Sequence, residues 1–402
     1  MSATPHHAAP ITLPVLAMIL AALAMIGPFT IDTYLPAFPY IAADLQATPA
    51  QMQQTLSFYL FTMALMTLFH GTLSDSFGRR PVILASLAVY VITAIGCALA
   101  SSLPQLLFWR AVQGLAAGAG MIVGRAIIRD SFAGHEAQRL MSLVTMIFGI
   151  APAIAPVIGG WLQGAFGWRS IFWFLALYGL LLLGAAIWRL PETHPVSDRQ
   201  PFHAVPLLRN YLRLGGNRKL VLLCFAVAFN FSGFFLYIVS APAVIYDLLG
   251  LSATDFAWLF VPGIGGVMLG AFLSGRLAGR LTPGRTVLIG YLVMAGAAVF
   301  NVTYCALFPP ALPWTVLPVM IYTTGMALAM PSVTLLALDL FPQLRGMTAS
   351  LQGFAHSLFA SITAGVISPL VSGSALTLAL GMSGLLLLGA LSWIFYLRSA
   401  DA

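Results

Sequence analysis

A chain of 402 residues, 60% hydrophobic and 7% charged, with a mean hydropathy of +0.95, carries more apolar surface than a water-soluble domain needs, and belongs in a bilayer. The net charge of +7 calls for no nucleic-acid partner, because the basic residues fall in the gaps between apolar runs, where the positive-inside rule accounts for them. Cys97, Cys224 and Cys305 lie far apart inside apolar runs, which argues against a disulfide framework or a metal site, and with Lys219 as the sole lysine and no glycine-rich phosphate loop, ATP-driven transport has no support.

Met1 to Pro10 carries His6 and His7 but no Lys or Arg. The apolar run from Ile11 continues past Phe29 without a small-residue cleavage site, so a retained first span is expected rather than a removed signal peptide. Apolar runs bounded by Gly, Pro or charge fall at 12–36, 51–71, 81–101, 104–128, 140–162, 168–190, 219–243, 255–275, 286–308, 313–338, 347–370 and 374–397. In lipid each run must satisfy its own backbone, and runs of about 20 residues are too long for barrel strands. The expected fold is an all-α membrane protein of twelve transmembrane helices. With the N-terminus in the cytoplasm, Arg79, Arg80, Arg129, Arg139, Arg189, Arg199, Arg209, Arg213, Arg218, Lys219, Arg276, Arg280, Arg285, Arg345 and Arg398 all fall on the cytoplasmic side, and Arg169 falls outside. Both termini are then cytoplasmic. Trp161, Trp168, Trp258 and Trp314 near outer ends, with Trp188 and Trp393 near inner ends, fit interfacial belts.

The longest polar segment, 191–218, contains four prolines and reads as a cytoplasmic linker between an N-terminal half, 1–190, and a C-terminal half, 219–402. The halves share landmarks. Pro39 and Asp44 recur as Pro242 and Asp247 at an offset of 242 − 39 = 203; Gly71 and Leu73 recur as Gly275 and Leu277; Asp130 and Phe132 recur as Asp339 and Phe341. Landmarks in one order at nearly one offset argue for two copies of a six-helix unit.

In chain order, four stretches carry the functional signal. Thr30-Ile31-Asp32-Thr33-Tyr34-Leu35-Pro36 places an acid inside the first run. Gly71-x-Leu73-x-Asp75-x-x-Gly78-Arg79-Arg80 concentrates glycine and charge between the second and third, where the spacing predicts a close backbone contact, a negative charge and a positive pair within one tight turn. Arg110-x-x-Gln113-Gly114 lies in the fourth. Pro152 and Ala155-Pro156-x-x-Gly159-Gly160 kink the fifth and let it pack closely. The second stretch resembles the signature between spans two and three of the major facilitator superfamily, and the third and fourth resemble the proton-coupling and antiporter motifs of its members, with Ala155 where the antiporter motif has glycine. The first stretch, the Arg129-Asp130 pair and Leu190-Pro191-Glu192-Thr193 are similar to the bicyclomycin-resistance (Bcr/CflA) branch of the drug:proton antiporters. The resemblance covers nearly the whole chain and implies two six-helix halves that rock about a central site, exporting drug-like molecules such as bicyclomycin, chloramphenicol or sulfonamides in exchange for protons. Export of a physiological metabolite, an amino acid or sugar, is the alternative. The chain is then a transporter of the bacterial inner membrane, not an enzyme, with the proton as coupling ion, no cofactor and no metal, functional as a monomer among membrane lipid.

Asp32 is the acid well inside an apolar run, where a charge is costly unless it faces a cavity, a partner or a proton path. It is expected to be the site where proton and substrate compete; capping the chain break at Pro36 is the plainer role. The resemblance adds proton coupling for Arg110, with Asp32 its nearest carboxylate by depth, although a snorkelling arginine is the alternative. Gln113 shares that helical face. His356 lies near mid-membrane, either as a proton relay or as a neutral hydrogen-bonded side chain, and His70 reads as interfacial. Tyr34, Tyr59, Asn230, Phe231, Phe234, Phe235 and Tyr237 are candidate cavity-lining residues for drug-like molecules, or else simply packing. Finally, Arg79 is expected to pair with Asp130 and Asp75 to accept from the backbone N–H groups opening span eleven near Gly346. Together these would form a conformational latch that the second half, with Gly279 where Asp75 would recur, does not repeat.

Overall fold

The computed structural model describes residues 13–199 and 202–400, and among them the protein is all-helical. Eleven helices are long and apolar enough to cross a membrane, and twelve when Pro49–Thr67 and His70–Phe77, bent by 49° at their break, count as one span. In chain order the spans are one, Leu13–Asp32; two, Pro49–Thr67 with His70–Phe77; three, Arg79–Ala98; four, Leu103–Ala117 and Ala119–Ser131, broken at Gly118; five, Gly134–Phe166; and six, Arg169–Arg189. After the linker come seven, Arg218–Val239; eight, Ala257–Leu277; nine, Pro283–Leu307; ten, Leu317–Asp339; eleven, Arg345–Ile362 continued through Thr363–Ile367 and Ser368–Val371; and twelve, Ala375–Ala400.

Local chemistry sets the span starts. At the head of span two, Thr48 accepts from the Gln51 amide and the Gln51 side chain accepts from the Thr48 amide at 2.8 Å, with Pro49 as the first helical residue. Thr282 caps span nine before Pro283 in the same way, with one of the two bonds. The linker departs from an unbroken polar connection, because Ala204–Gly215 forms a helix. Leu207, Tyr211 and Leu214 recur at helical spacing on one side of it, Leu207 and Leu214 are buried, and the Tyr211 hydroxyl donates to the Leu68 carbonyl at 2.9 Å.

Spans one to six pack mainly on one another, as do spans seven to twelve. Within the first half, span two packs on four, four on one, and one on five, while three and six lie behind. Spans two and five are the edges by which this half meets the other, through spans eleven and eight respectively. Arg79, Arg129, Arg189, Arg276 and Arg345 mark one face of the bundle, called here the basic face. The hydrogen bonds between the halves lie toward the opposite face. Gln53 Nε2 donates to the Val239 carbonyl at 2.8 Å, Gln54 Nε2 to the Gly365 carbonyl at 2.7 Å, Ser57 Oγ to the Ser361 carbonyl at 2.9 Å, and the Tyr246 hydroxyl to the Pro36 carbonyl at 2.7 Å. Among the described residues no hydrogen bond or ion pair joins a span of one half to a span of the other at the basic face. The hydrogen bonds between spans of the two halves are therefore concentrated on the side opposite the basic face.

Candidate functional site

Arg110 and its surroundings form the buried polar centre of the first half. Its guanidinium is completely buried and lies between two tyrosine rings, 4.7 Å from the centroid of Tyr34 and 4.5 Å from that of Tyr59. Ring faces attract a desolvated cation by up to about 2 kcal/mol each. Nη1 donates to Gln113 Oε1 at 2.8 Å and reaches the Thr30 carbonyl at 3.4 Å. The cage is held in turn by Tyr34 bonded to the Thr55 hydroxyl at 2.9 Å and by the Thr30 hydroxyl bonded to Tyr90 at 2.6 Å. Nε and Nη2 of Arg110 have no hydrogen-bond partner among the described residues.

Asp32 ends the helix of span one, two residues beyond the carbonyl that Arg110 touches. It is 4% exposed and makes neither a hydrogen bond nor an ion pair among the described residues. The pairing of Asp32 with Arg110 expected from depth is thus not made in this arrangement, because tyrosine faces and Gln113 occupy the guanidinium instead. Tyr34, Tyr59 and Gln113 consequently serve as the walls of an arginine cage, each fully buried, rather than as open cavity lining. Span five approaches this region through its glycines. A side chain on Gly159 would run into the Thr33 carbonyl next to Asp32, and one on Gly160 into the Ala253 carbonyl of the second half. Pro152 and Pro156 both lie within the unbroken helix Gly134–Phe166.

In the second half the structure divides the candidate cavity residues. Phe231 stacks on Phe235 and lies 3.9 Å from the His356 ring, between centroids, so three of them form one aromatic cluster on spans seven and eleven. Phe234 packs edge-on against Phe231 and next to Gly263 of span eight. Asn230 and Tyr237 turn inward instead. The Asn230 side-chain amide donates to the Tyr291 hydroxyl at 2.9 Å, its Oδ1 has no partner among the described residues, and its backbone carbonyl accepts from Tyr322, while Tyr237 accepts from Asn301 at 2.7 Å. These bonds tie span seven to spans nine and ten.

At the basic face, the stretch from Gly71 to Arg80 is mostly helix, His70–Phe77, and the turn is confined to Gly78 at φ +100°. The close approach expected at Gly71 is absent, since nothing lies within 4 Å of where its Cβ would be, whereas a Cβ on Gly78 would strike Glu192. His70 is buried there against span four near Gly118, not interfacial. Arg79 is 4% exposed and binds Asp130 at 2.9 Å through Nε, Ser74 at 2.7 Å through Nη1, and Asp75. The bridge expected from Asp75 to the start of span eleven is not formed, because Asp75 is engaged by Arg79 inside its own half. Arg80 donates to the Ile187 carbonyl at 2.7 Å, which fastens span three to span six. Glu192 accepts from the Arg79 amide at 3.0 Å and from Arg199 at 3.4 Å, so the start of the linker caps span three.

Two side chains were given no contact or role of their own from the sequence. Glu192 is one of them, named there only within the Leu190-Pro191-Glu192-Thr193 stretch; its signal was an acid just after a span and opposite the Gly-Arg-Arg turn. Arg125 is the other, an arginine four residues inside Arg129 and so within the fourth apolar run. Arg125 lines a groove with Met121, Met141, Thr145 and Phe148 and makes no hydrogen bond or ion pair among the described residues.

Residues 17–365 match the model of the Major Facilitator Superfamily. The chain is 34% identical over 262 residues, 65% of it and 66% of the relative, to the bicyclomycin resistance protein homolog of Haemophilus influenzae. It is 32% identical over 360 residues, 89% of it and 88% of the relative, to the uncharacterized MFS-type transporter YdgK of Bacillus subtilis, and 31% identical over 286 residues, 70% and 71%, to the multidrug resistance protein MdtL of Escherichia coli O157:H7. Among solved structures, a D-xylose-proton symporter shares the fold with a TM-score of 0.74 at 15% identity, covering 95% of this chain and 96% of that one. An inward-facing bacterial homolog of the lysosomal transporter Spinster does so at 0.68 and 17%, covering 97% and 96%. With its twelve spans in two packed halves, a family match across most of its length and relatives named as drug-resistance proteins, this chain belongs to the Major Facilitator Superfamily of membrane transporters.

Proposed function

We propose that the protein is a proton-coupled multidrug exporter of the bacterial inner membrane, acting as a monomer by alternating access on small drug-like molecules of the bicyclomycin, chloramphenicol or sulfonamide type. The observation that carries this reading is the half-satisfied pair in the first half. Asp32 is buried without a partner, and Arg110, which contacts the backbone two residues away, keeps two buried donors unfilled. Leaving a buried donor unpaired costs about 1–3 kcal/mol, and more when it is charged, a cost that a second arrangement with Asp32 and Arg110 together would relieve. The relatives named for bicyclomycin and multidrug resistance support drug export.

On this reading the basic face is cytoplasmic by the positive-inside rule, both termini are cytoplasmic, and the arrangement, with its inter-half hydrogen bonds on the opposite side, is inward-open. Substrate enters from the cytoplasm, and the halves rock about the seal made by Gln53, Gln54 and Ser57. A proton arriving from outside then neutralises Asp32, displaces the substrate, and leaves for the cytoplasm as the halves return. One charge crossing 100 mV supplies about 2.3 kcal/mol, enough for a gradient of some tens-fold. His356 with Phe231 and Phe235 forms the second-half wall of the substrate path. The cluster of Gly71, Asp75, Gly78, Arg79, Arg80 and Asp130 is the latch. Arg79 to Asp130 persists as a brace within the first half, and Asp75 exchanges Arg79 for the start of span eleven when the basic face closes.

Efflux of a fluorescent drug from cells expressing the protein tests the coupling. A protonophore is expected to abolish efflux; efflux that continues unchanged contradicts proton coupling.

A further inference from the structure

Arg125 has no place in the cycle described so far. Its groove is walled by Leu20 and Ala24 of span one, Gly120 to Arg125 of span four, and Met141 to Phe148 of span five. Spans three and six, which lie behind one and four, contribute nothing to it, so the groove is on the side of the first half that fronts the second. It sits near the basic face, one helical turn in from Arg129. A second hollow, walled by spans one, three and four, lies on the rear side and holds no charged group.

A guanidinium is permanently charged and has five N–H donors in a planar fork. Arg125 is exposed, and none of these donors has a partner among the described residues, so the fork is open to a ligand entering the groove. Asp130, the acid one turn away on the same span, is held by Arg79, and Glu136 at the start of span five forms no ion pair. Asp32, buried, is at the far end of span one. The remaining wall offers the exposed Thr145 hydroxyl, which makes no hydrogen bond, beside the soft apolar surface of Met121, Met141 and Phe148. A planar two-oxygen anion on an apolar body matches this wall, with the oxygens on the fork and Thr145 and the body against the methionines and Phe148.

We propose that this groove is a recognition subsite for substrates bearing a carboxylate or a comparable monoanion, with Arg125 as the group that reads the charge. The proposal rests on the exporter reading above and names its substrate class. Chloramphenicol and chloramphenicol succinate provide a matched pair, neutral and carboxylate-bearing on one scaffold. Their dissociation constants are to be measured on the purified full chain in nanodiscs, for the wild type, Arg125→Gln and Arg125→Lys. The succinate is expected to bind the wild type more tightly than its parent. That preference falls roughly ten- to hundredfold in Arg125→Gln, as loss of a charge-assisted hydrogen bond implies, and is partly kept in Arg125→Lys. An equal preference in the wild type and Arg125→Gln, or no binding of the succinate to the wild type, overturns the proposal. Wild-type binding of chloramphenicol reports on the exporter reading separately, so the two readings fail independently.

Discussion

Asp32 and Arg110 reach the same stretch of backbone around Thr30 but hold different company. The guanidinium is caged by Tyr34, Tyr59 and Gln113, and the carboxylate is left alone. Ring faces and Gln113 hold the cation without a carboxylate, but they leave its Nε and Nη2 unfilled. The basic-face turn shows how sharply one residue is specified. Gly78 has φ +100° and a Cβ there would meet Glu192, while Gly71 lies in a helix with free space around it. Gly78→Ala is therefore expected to cost about 1–3 kcal/mol and lower the thermal unfolding midpoint in detergent. Gly71→Ala is expected to be neutral, or stabilising by up to about 1 kcal/mol as a better helix former. Equal effects of the two substitutions would contradict this division of roles.

At the scale of elements, the twelve spans were legible because lipid allows no other solution for long apolar runs. Charge, Gly and Pro punctuate them within a few residues of the observed ends. The linker helix Ala204–Gly215 was less legible, since it lies in a polar, proline-bearing segment and is held by contacts to other elements, such as Tyr211 on Leu68. Pairings followed the same logic. Arg79 with Asp130 could be read from two groups of opposite sign fixed at one depth on neighbouring spans. The partner of Arg110 could not, because depth alone does not tell a carboxylate from a pair of tyrosine rings. The bonds of Asn230 and Tyr237 to spans nine and ten were not legible for a related reason: apolar sequence around a polar residue does not reveal which side of its helix faces which neighbour. Span five was readable in detail, as its motif glycines are required by the Thr33 and Ala253 carbonyls they face.

Across the whole molecule, one arrangement is held by a polar seal on the side opposite the basic face. Gly365 is central to it: its carbonyl accepts from Gln54, and any side chain there would press on Ser57. Gly365→Leu is expected to weaken the seal and shift the population toward the arrangement open on that side. Spin labels on the ends of spans two and seven remote from the basic face would then show a longer distance component; an unchanged distribution would contradict the assignment of the seal. The central claim, that Asp32 couples a proton to drug movement, is tested most directly by proton flux. Proteoliposomes of wild type and Asp32→Asn, with a pH-sensitive dye inside, are to be challenged with chloramphenicol. The wild type should move protons when the drug is added, and Asp32→Asn should move none while still binding drug. Drug-induced proton flux of wild-type size in Asp32→Asn would contradict the claim.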